Sequence, residues 1–338
     1  MSQNSPYVFD IHCDLLSYLS YKKGRTPFDH GSRCNLRAMV AGKVAAQVLA
    51  IYVSGEGRSQ ESCRAQIQDY ISLTKNFPSL LQNGNQDSIK AQIPEKIQIL
   101  PAFENIAGIL PDHIEISLVL AELNQIYKSL KHIAYISLTW DGENRYGGGA
   151  GCQIGLKDDG KKMIEWMDEK HIPLDISHAS DHLCYDILNF IEKRGLSLPV
   201  IASHSNFRFV TNKARNLPDE FAKEIIKRNG LIGINFFCHF SGGKNVWDIF
   251  SHIEYGLRLG ADKTLCLGAD FFDDETQSYI EKKYGSSKCF YDELSNAACY
   301  PRFLEMLYEQ SFASERLAED LFHKNSTAFY SNVLSKQH

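Results

Sequence analysis

The chain has 338 residues, 43% hydrophobic and 23% charged, with a formal net charge of −5, the make-up of an ordinary soluble globular protein. The acidic balance argues against nucleic acid or an anionic membrane surface as partner, and the longest apolar run, residues 44–53, is too short to span a bilayer. Met1-Ser-Gln-Asn-Ser-Pro-Tyr7 shows no basic segment followed by an apolar core, so no signal peptide is expected there. The nine cysteines are odd in number and form no CxxC pair. They read as buried thiols of a reducing compartment, and the cytoplasm is the expected location.

Along the chain, β-branched and apolar runs at 7–14, 44–53 and 97–104 come first. A long Leu-rich helical pattern over 112–132 leads into a run at 133–140, and a helix over 158–170 opens with carboxylates before the run at 172–178. Ser180 starts a helix that ends near Gly195, followed by a run at 198–204. Pro218-Asp-Glu starts another that stops at Gly230, ahead of runs at 231–237 and 264–270. Residues 54–60 and 273–300 lack clear periodicity and read as loops, and the tail reads as two helices over 302–309 and 314–329. The runs are continuous, not alternating, as strands covered on both faces should be.

Strand–helix alternation repeated eight times predicts an α/β fold, a TIM-type (β/α)8 barrel in one domain over 1–338 with C-terminal helices. An open doubly wound sheet shares the local pattern, but it would normally bring a Gly-rich loop after its first strand. Asp10-Ile-His12-Cys-Asp14 stands there instead.

Metal-ligand residue types fall where these runs end: Val8-Phe-Asp-Ile-His12-Cys-Asp14, Leu100-Pro-Ala-Phe-Glu104, Leu174-Asp-Ile-Ser-His178, Val200-Ile-Ala-Ser-His204 and Leu265-Cys-Leu-Gly-Ala-Asp270. In a parallel barrel those ends converge on one face. His12 and Asp14 are two apart, so in extended geometry their side chains would point the same way; taken alone, they read as a hydrogen-bonded polar pair at a strand end. With Glu104, His178 and His204 they make five imidazole and carboxylate ligands, one too many for a single tetrahedral Zn²⁺. The set suits two ions that share a carboxylate. Asp270, at the end of the last run, is then placed to move the proton of an attacking water, or to act as an N-cap.

This constellation resembles the renal (membrane) dipeptidase family of zinc peptidases, a branch of the amidohydrolase-like barrels, over nearly the whole chain. His12 and Asp14 match the family's opening His-x-Asp, and Glu104 in Ala-Phe-Glu-Asn is similar to its metal-bridging carboxylate. His178, and His204 in Ser-His-Ser-Asn, look like the ligands of the second ion. The most specific match runs from His204 through Lys-Ala-Arg215-Asn-Leu-Pro-Asp219, which carries the arginine that clamps the substrate's terminal carboxylate in the family. Gly268-Ala-Asp270-Phe resembles the catalytic aspartate motif. One departure stands out. Vertebrate members carry a substrate-binding histidine at the end of the fourth strand, whereas Tyr135-Ile-Ser-Leu-Thr-Trp140 ends in tryptophan here. An indole N–H can donate but carries no charge, so Trp140 implies altered substrate contacts, with Asn144 and Arg145 as local substitutes. His239, beyond the seventh strand, is one further pocket candidate.

The resemblance implies a two-zinc dipeptidase, acting on small dipeptides that include ones with a C-terminal D-residue, and forming homo-oligomers such as dimers. The alternatives are a related two-metal amidohydrolase acting on N-acyl amino acids or other small amides, and a metal-bound barrel without turnover.

Overall fold

The computed structural model describes residues 6–55, 59–90, 95–285 and 288–337. Its described residues form a nine-stranded parallel sheet: β1 Val8–Cys13, β2 Val44–Tyr52, β3 Leu81–Asn83, β4 Ile97–Glu104, β5 Ile136–Ser137, β6 Leu174–Asp175, β7 Val200–Ile201, β8 Ile232–Ile234 and β9 Leu265–Leu267. The order is β7-β6-β5-β4-β2-β1-β9-β8, with β3 beside β4. The two ends of that order meet: Ala202 bridges Ile232 in parallel, Ala202 N–H donates to the Leu231 carbonyl at 2.8 Å and Gly233 N–H to the Ala202 carbonyl at 2.8 Å. The sheet therefore closes into a barrel of eight strands, with helices between them and further helices at the C-terminus.

Each of the eight predicted runs contains one barrel strand. β3 has no counterpart among them, because Leu81-Gln-Asn is too short and polar to show a pattern. The loop expected over 273–300 instead contains a helix, Asp274–Tyr284, capped by the Asp273 carboxylate, which accepts from the backbone N–H groups of Glu275 and Thr276 at 2.9 Å each. Its sequence, Asp-Glu-Thr-Gln-Ser-Tyr-Ile-Glu-Lys-Lys-Tyr, has almost no apolar stripe for periodicity to detect. Of the loop expected over 54–60, residues 56–58 lie outside the described residues, and Ser59–Asn76 is helical. The helix after Ser180 is as read: the serine hydroxyl accepts from Leu183 N–H at 3.1 Å, and Gly195 ends it in the left-handed region at φ 63°. The final segment is interrupted by a π turn, Asp320–Lys324, before a last helix, Asn325–Leu334.

Strand side chains split between two cores by the two-residue period. Phe9, Ile11, Ala46, Val48, Leu100 and Ala102 pack together inside the barrel. Leu49, Ile51, Ile97, Ile99 and Phe103 join the larger core under the helices. Each large apolar side chain buried this way contributes roughly 1.5–3 kcal/mol. The last helix plugs the end of the barrel opposite the strands' C-termini. Tyr330 stacks on Phe9 at 5.2 Å, and the Gln337 amide donates to Ile133 C=O and accepts from Ile133 N–H, at 2.9 and 3.0 Å.

Inside the barrel, a Cβ on Gly233 would lie 1.9 Å from the Ser203 carbonyl oxygen, and one on Gly268 2.0 Å from the same atom. Backbone cannot yield as a flexible side chain can. Gly233→Ala is expected to destabilise the protein by about 1–3 kcal/mol, the usual cost of overpacking, read as a lowered denaturation midpoint. An unchanged midpoint would mean the strands are more loosely packed here than described.

Candidate metal centre and its cavity

The sequence-predicted ligands meet at the C-terminal mouth of the barrel. His12 lies in β1 and Asp14 just after it; Glu104 is the last residue of β4; His178, His204 and Asp270 each follow their strand by three residues. Two groupings bring ligand atoms within 4.8 Å of one another: His12, Glu104 and His204, and His12, Asp14 and Asp270. His178 joins through Glu104, with Nε2 2.9 Å from Oε1.

His12 and Asp14 do converge, though not by extended geometry. The β1–β2 register shifts between Asp10 and Cys13, an irregularity of the kind that re-aims side chains near sites. Asp14 has left the strand, at φ −103° and ψ 32°, to stand at the N-terminus of the helix Leu15–Tyr21. Asp270 has φ 63°, a left-handed conformation that aspartate and asparagine tolerate better than most residues.

Glu104 is the hub. Its Oε2 lies 3.4 Å from His12 Nε2, and its Oε1 lies 2.9 Å from His178 Nε2 and 3.8 Å from His204 Nε2. The opposite nitrogens are occupied. His12 Nδ1 is 2.6 Å from the Tyr135 hydroxyl, which itself donates to the Ile11 carbonyl at 3.2 Å. His178 Nδ1 is 3.1 Å from Asp141 Oδ1. His204 Nδ1 is 2.7 Å from Ser203 Oγ, which donates to Asp175 Oδ2 at 2.7 Å. Each partner has its own proton committed elsewhere or has none, so each imidazole is the donor through Nδ1 and turns the lone pair of Nε2 inward.

Lone pairs facing a carboxylate, and one another at 3.0 Å between His178 and His204 Nε2, repel unless a positive charge lies among them. His12 Nε2 and Asp14 Oδ1 are buried and have no hydrogen-bond partner. These donors fit divalent cations, and Glu104 is the residue placed to serve two of them.

Proton affinities express the same demand for positive charge. Burial works against a charged His12, yet the Glu104, Asp270 and Asp14 carboxylates outweigh it and hold its pKa up at about 10. Burial likewise works against ionised Glu104, but His12 and His178 hold its pKa below the usual carboxylate range. Burial, reinforced by the Glu104 charge, pushes Asp14 well up, and burial raises Asp270 as well. His204 is driven well down by burial, with the charges of His12 and Arg215 adding to it.

A cavity of about 480 Å³ opens beside the cluster, lined by Asp14, Glu104, His178 and Asp270 and by aromatic side chains including Trp140. The Trp140 ring lies 6.0 Å from His178 and 5.3 Å, edge-on, from Tyr52. Arg215 is buried beside the ligands and is itself not among the described residues lining the cavity: Nη1 donates to Ser205 Oγ at 2.8 Å, Nη2 to the His204 carbonyl at 3.3 Å, and Nε has no hydrogen-bond partner. The structure does not bring Asn144 into the cavity lining. Its amide donates to Asn105 Oδ1 and Leu138 C=O at 3.0 and 2.8 Å and accepts from Tyr146 and Gly147 N–H. Arg145 is tied to Asp159 at 2.7 Å. His239 is not among the described residues lining the cavity.

Sequence reading missed the residues that orient the ligands. Besides Tyr135, Asp141 and Ser203, Asn235 Nδ2 donates to Asp270 Oδ2 at 2.9 Å. Asp10 accepts from the N–H groups of His12 and Ala269 and from the Tyr300 hydroxyl, tying β1 to β9. The available signal was position: Asp141 follows Trp140 at a strand mouth, and Asp10 and Asp175 precede ligands on ligand-bearing runs. Asp141→Asn should weaken metal binding about 10- to 100-fold, the usual cost of removing a ligand's orienting partner, measured by competition against a zinc indicator. Unchanged affinity would remove Asp141 from this role.

A model of the membrane dipeptidase family, peptidase family M19, matches residues 2–333. Over 131 residues the chain is 28% identical to an uncharacterised protein encoded in the PQQ-III 3′ region of Acinetobacter calcoaceticus, covering 34% of this chain and 40% of that protein. It is 27% identical over 169 residues to dipeptidase 3 of Mus musculus, covering 48% of this chain and 30% of that protein. The matched stretch thus spans less than half the length of either relative. Among solved structures, the dipeptidase AC, a metallo peptidase of family M19, superposes with a TM-score of 0.80 at 17% identity, covering 99% of both chains. A metallo peptidase from Rhodobacter sphaeroides, liganded with a phosphinate mimic of the dipeptide L-Ala-D-Ala, gives 0.80 at 16% identity, covering 99% of this chain and 100% of that one. At these identities the superpositions establish the fold. The family match, taken over nearly the full chain, establishes the rest: this protein belongs to the membrane dipeptidase family, peptidase family M19.

Proposed function

We propose that the protein is a two-zinc dipeptidase that hydrolyses the peptide bond of free dipeptides. The observation that carries this reading is the convergence of three inward-facing Nε2 atoms on the buried Glu104 carboxylate at the mouth of the barrel. His12, Asp14 and Glu104 would hold one ion, and Glu104, His178 and His204 the other. Nitrogen and oxygen ligands of this kind suit Zn²⁺ among the divalent metals. When bound, such a pair acidifies water and polarises the scissile carbonyl.

The chain's own groups do the remainder. Arg215 holds the substrate's terminal carboxylate; its planar fork accepts such a group in bidentate fashion and favours a free C-terminus over an internal peptide bond. Asp270, oriented by Asn235, takes the proton of the attacking water and passes it to the departing amine. Trp140 walls the cavity beside His178, without the charge a histidine would supply. Asn144 supports this from behind, by pinning the loop that follows Trp140.

Among the described residues no helix is long and apolar enough to cross a membrane. All nine cysteines are free thiols, as in a reducing compartment, and we assign the protein to the cytoplasm.

The Rhodobacter sphaeroides ligand makes L-Ala-D-Ala a natural probe beside L-Ala-L-Ala. Protein stripped of metal and refilled with Zn²⁺ should cleave at least one of the two, and cleave L-Ala-L-Ala amide and N-acetyl-L-alanine poorly. Turnover confined to the acetyl compound would replace this reading with an N-acyl amino acid hydrolase. Tight zinc binding with no turnover on any of them would leave a binding barrel.

A further inference from the structure

One wall of the cavity is built of phenyl rings. Phe237, Phe240 and Phe272 all line it. The Phe237 and Phe240 ring centroids are 4.8 Å apart, edge-on, and those of Phe237 and Phe272 are 5.9 Å apart, also edge-on. Phe237 and Phe240 come from the segment after β8, where Cys238–Ser241 forms a short helix, and Phe272 from the segment after β9; the rings are 2%, 7% and 5% exposed. They are held by packing, as a preformed binding surface should be.

The wall adjoins the arginine directly: the Arg215 guanidinium carbon is 5.7 Å from the Phe240 ring centroid. A carboxylate on Arg215 fixes the α-carbon that bears it. With Phe240 5.7 Å from the guanidinium, a side chain on that α-carbon comes within reach of the phenyl wall. An alanine methyl covers little of three phenyl rings and leaves water against them, whereas a larger apolar side chain displaces that water. The cavity, at about 480 Å³, has room for such a group.

We infer that the protein selects dipeptides whose C-terminal residue carries a bulky apolar side chain, seated against Phe237, Phe240 and Phe272. This rests on the dipeptidase reading, with Arg215 as the carboxylate clamp.

The test uses the zinc-loaded protein and an Ala-X series with X as Gly, Ala, Leu and Phe, in both configurations of X. In whichever configuration is cleaved, kcat/KM should rise with apolar size, by about 10- to 100-fold from Gly to Phe. Phe272→Ala should bring that Phe-to-Gly ratio down about tenfold, and Phe272→Leu should restore part of it. Because the ratio is taken within one preparation, partial misfolding cancels. A matched X-Ala series should show little change in its own ratio on the same substitution. Cleavage with a flat or inverted dependence on X, or an equal loss in both series, overturns the inference and leaves the dipeptidase reading intact. No cleavage of any member overturns both.

Discussion

Asp270→Asn is expected to lower kcat on dipeptides by about 10²- to 10⁴-fold, the range that a positioned general acid–base contributes. The substitution is close to a pure change of chemistry. Asparagine has the same shape, and it tolerates the left-handed backbone at φ 63° as well as aspartate does. Its amide oxygen can still accept the hydrogen bond that Asn235 makes to Oδ2. What it cannot do is accept a proton from water and return it to an amine. The five proposed ligands are untouched, but Asp270 also lies within ligand distance of His12 and Asp14, so zinc content measured by elemental analysis separates lost proton transfer from lost metal. A variant with full zinc and near-normal kcat would show that Asp270 does not move the proton.

Glu104→Gln should have the second large effect, on metal binding itself. Glu104 is the only described carboxylate within ion-pair distance of all three imidazoles, and it is buried at 3% exposure. Glutamine keeps the volume but loses the negative charge that two cations would share. Loss of a ligand's orienting partner alone costs about 10- to 100-fold in affinity, so losing the shared ligand should cost at least about 100-fold. Thermal unfolding with and without Zn²⁺ reads this directly. Saturation at a thousand times Kd stabilises a native state by about 4 kcal/mol, an increment the unaltered protein should show and the variant should largely lose. An equal zinc-induced rise in Tm for both proteins would mean that Glu104 does not bridge the ions.

Much of this centre was readable in the sequence because a parallel barrel delivers strand ends to one mouth, and strand ends are visible as the points where apolar runs stop. Glu104, His178, His204 and Asp270 followed from that rule alone. The route by which His12 and Asp14 meet did not. A register shift within β1 and a helix N-terminus at Asp14 are backbone events that leave no mark in residue type. The orienting partners escaped for a different reason. Tyr135, Ser203 and Asn235 are ordinary barrel residues until the closed sheet places them behind a ligand. Asn144 shows the converse: a polar side chain at a site mouth looked available, but the turn it sits in uses both ends of its amide. The helix at 274–284 was invisible because its stability comes from the Asp273 cap and local charge, not from an apolar face.

Hydrolysis in this barrel is expected to need two divalent ions, with Glu104 placed to serve both. Stoichiometric titration of metal-stripped protein with Zn²⁺, following L-Ala-L-Ala or L-Ala-D-Ala cleavage at each addition, tests it most directly. The recovered rate should rise and level off at about two equivalents per chain, as a two-metal site requires. A rate that saturates at one equivalent, or that is already present in the stripped protein, would contradict it.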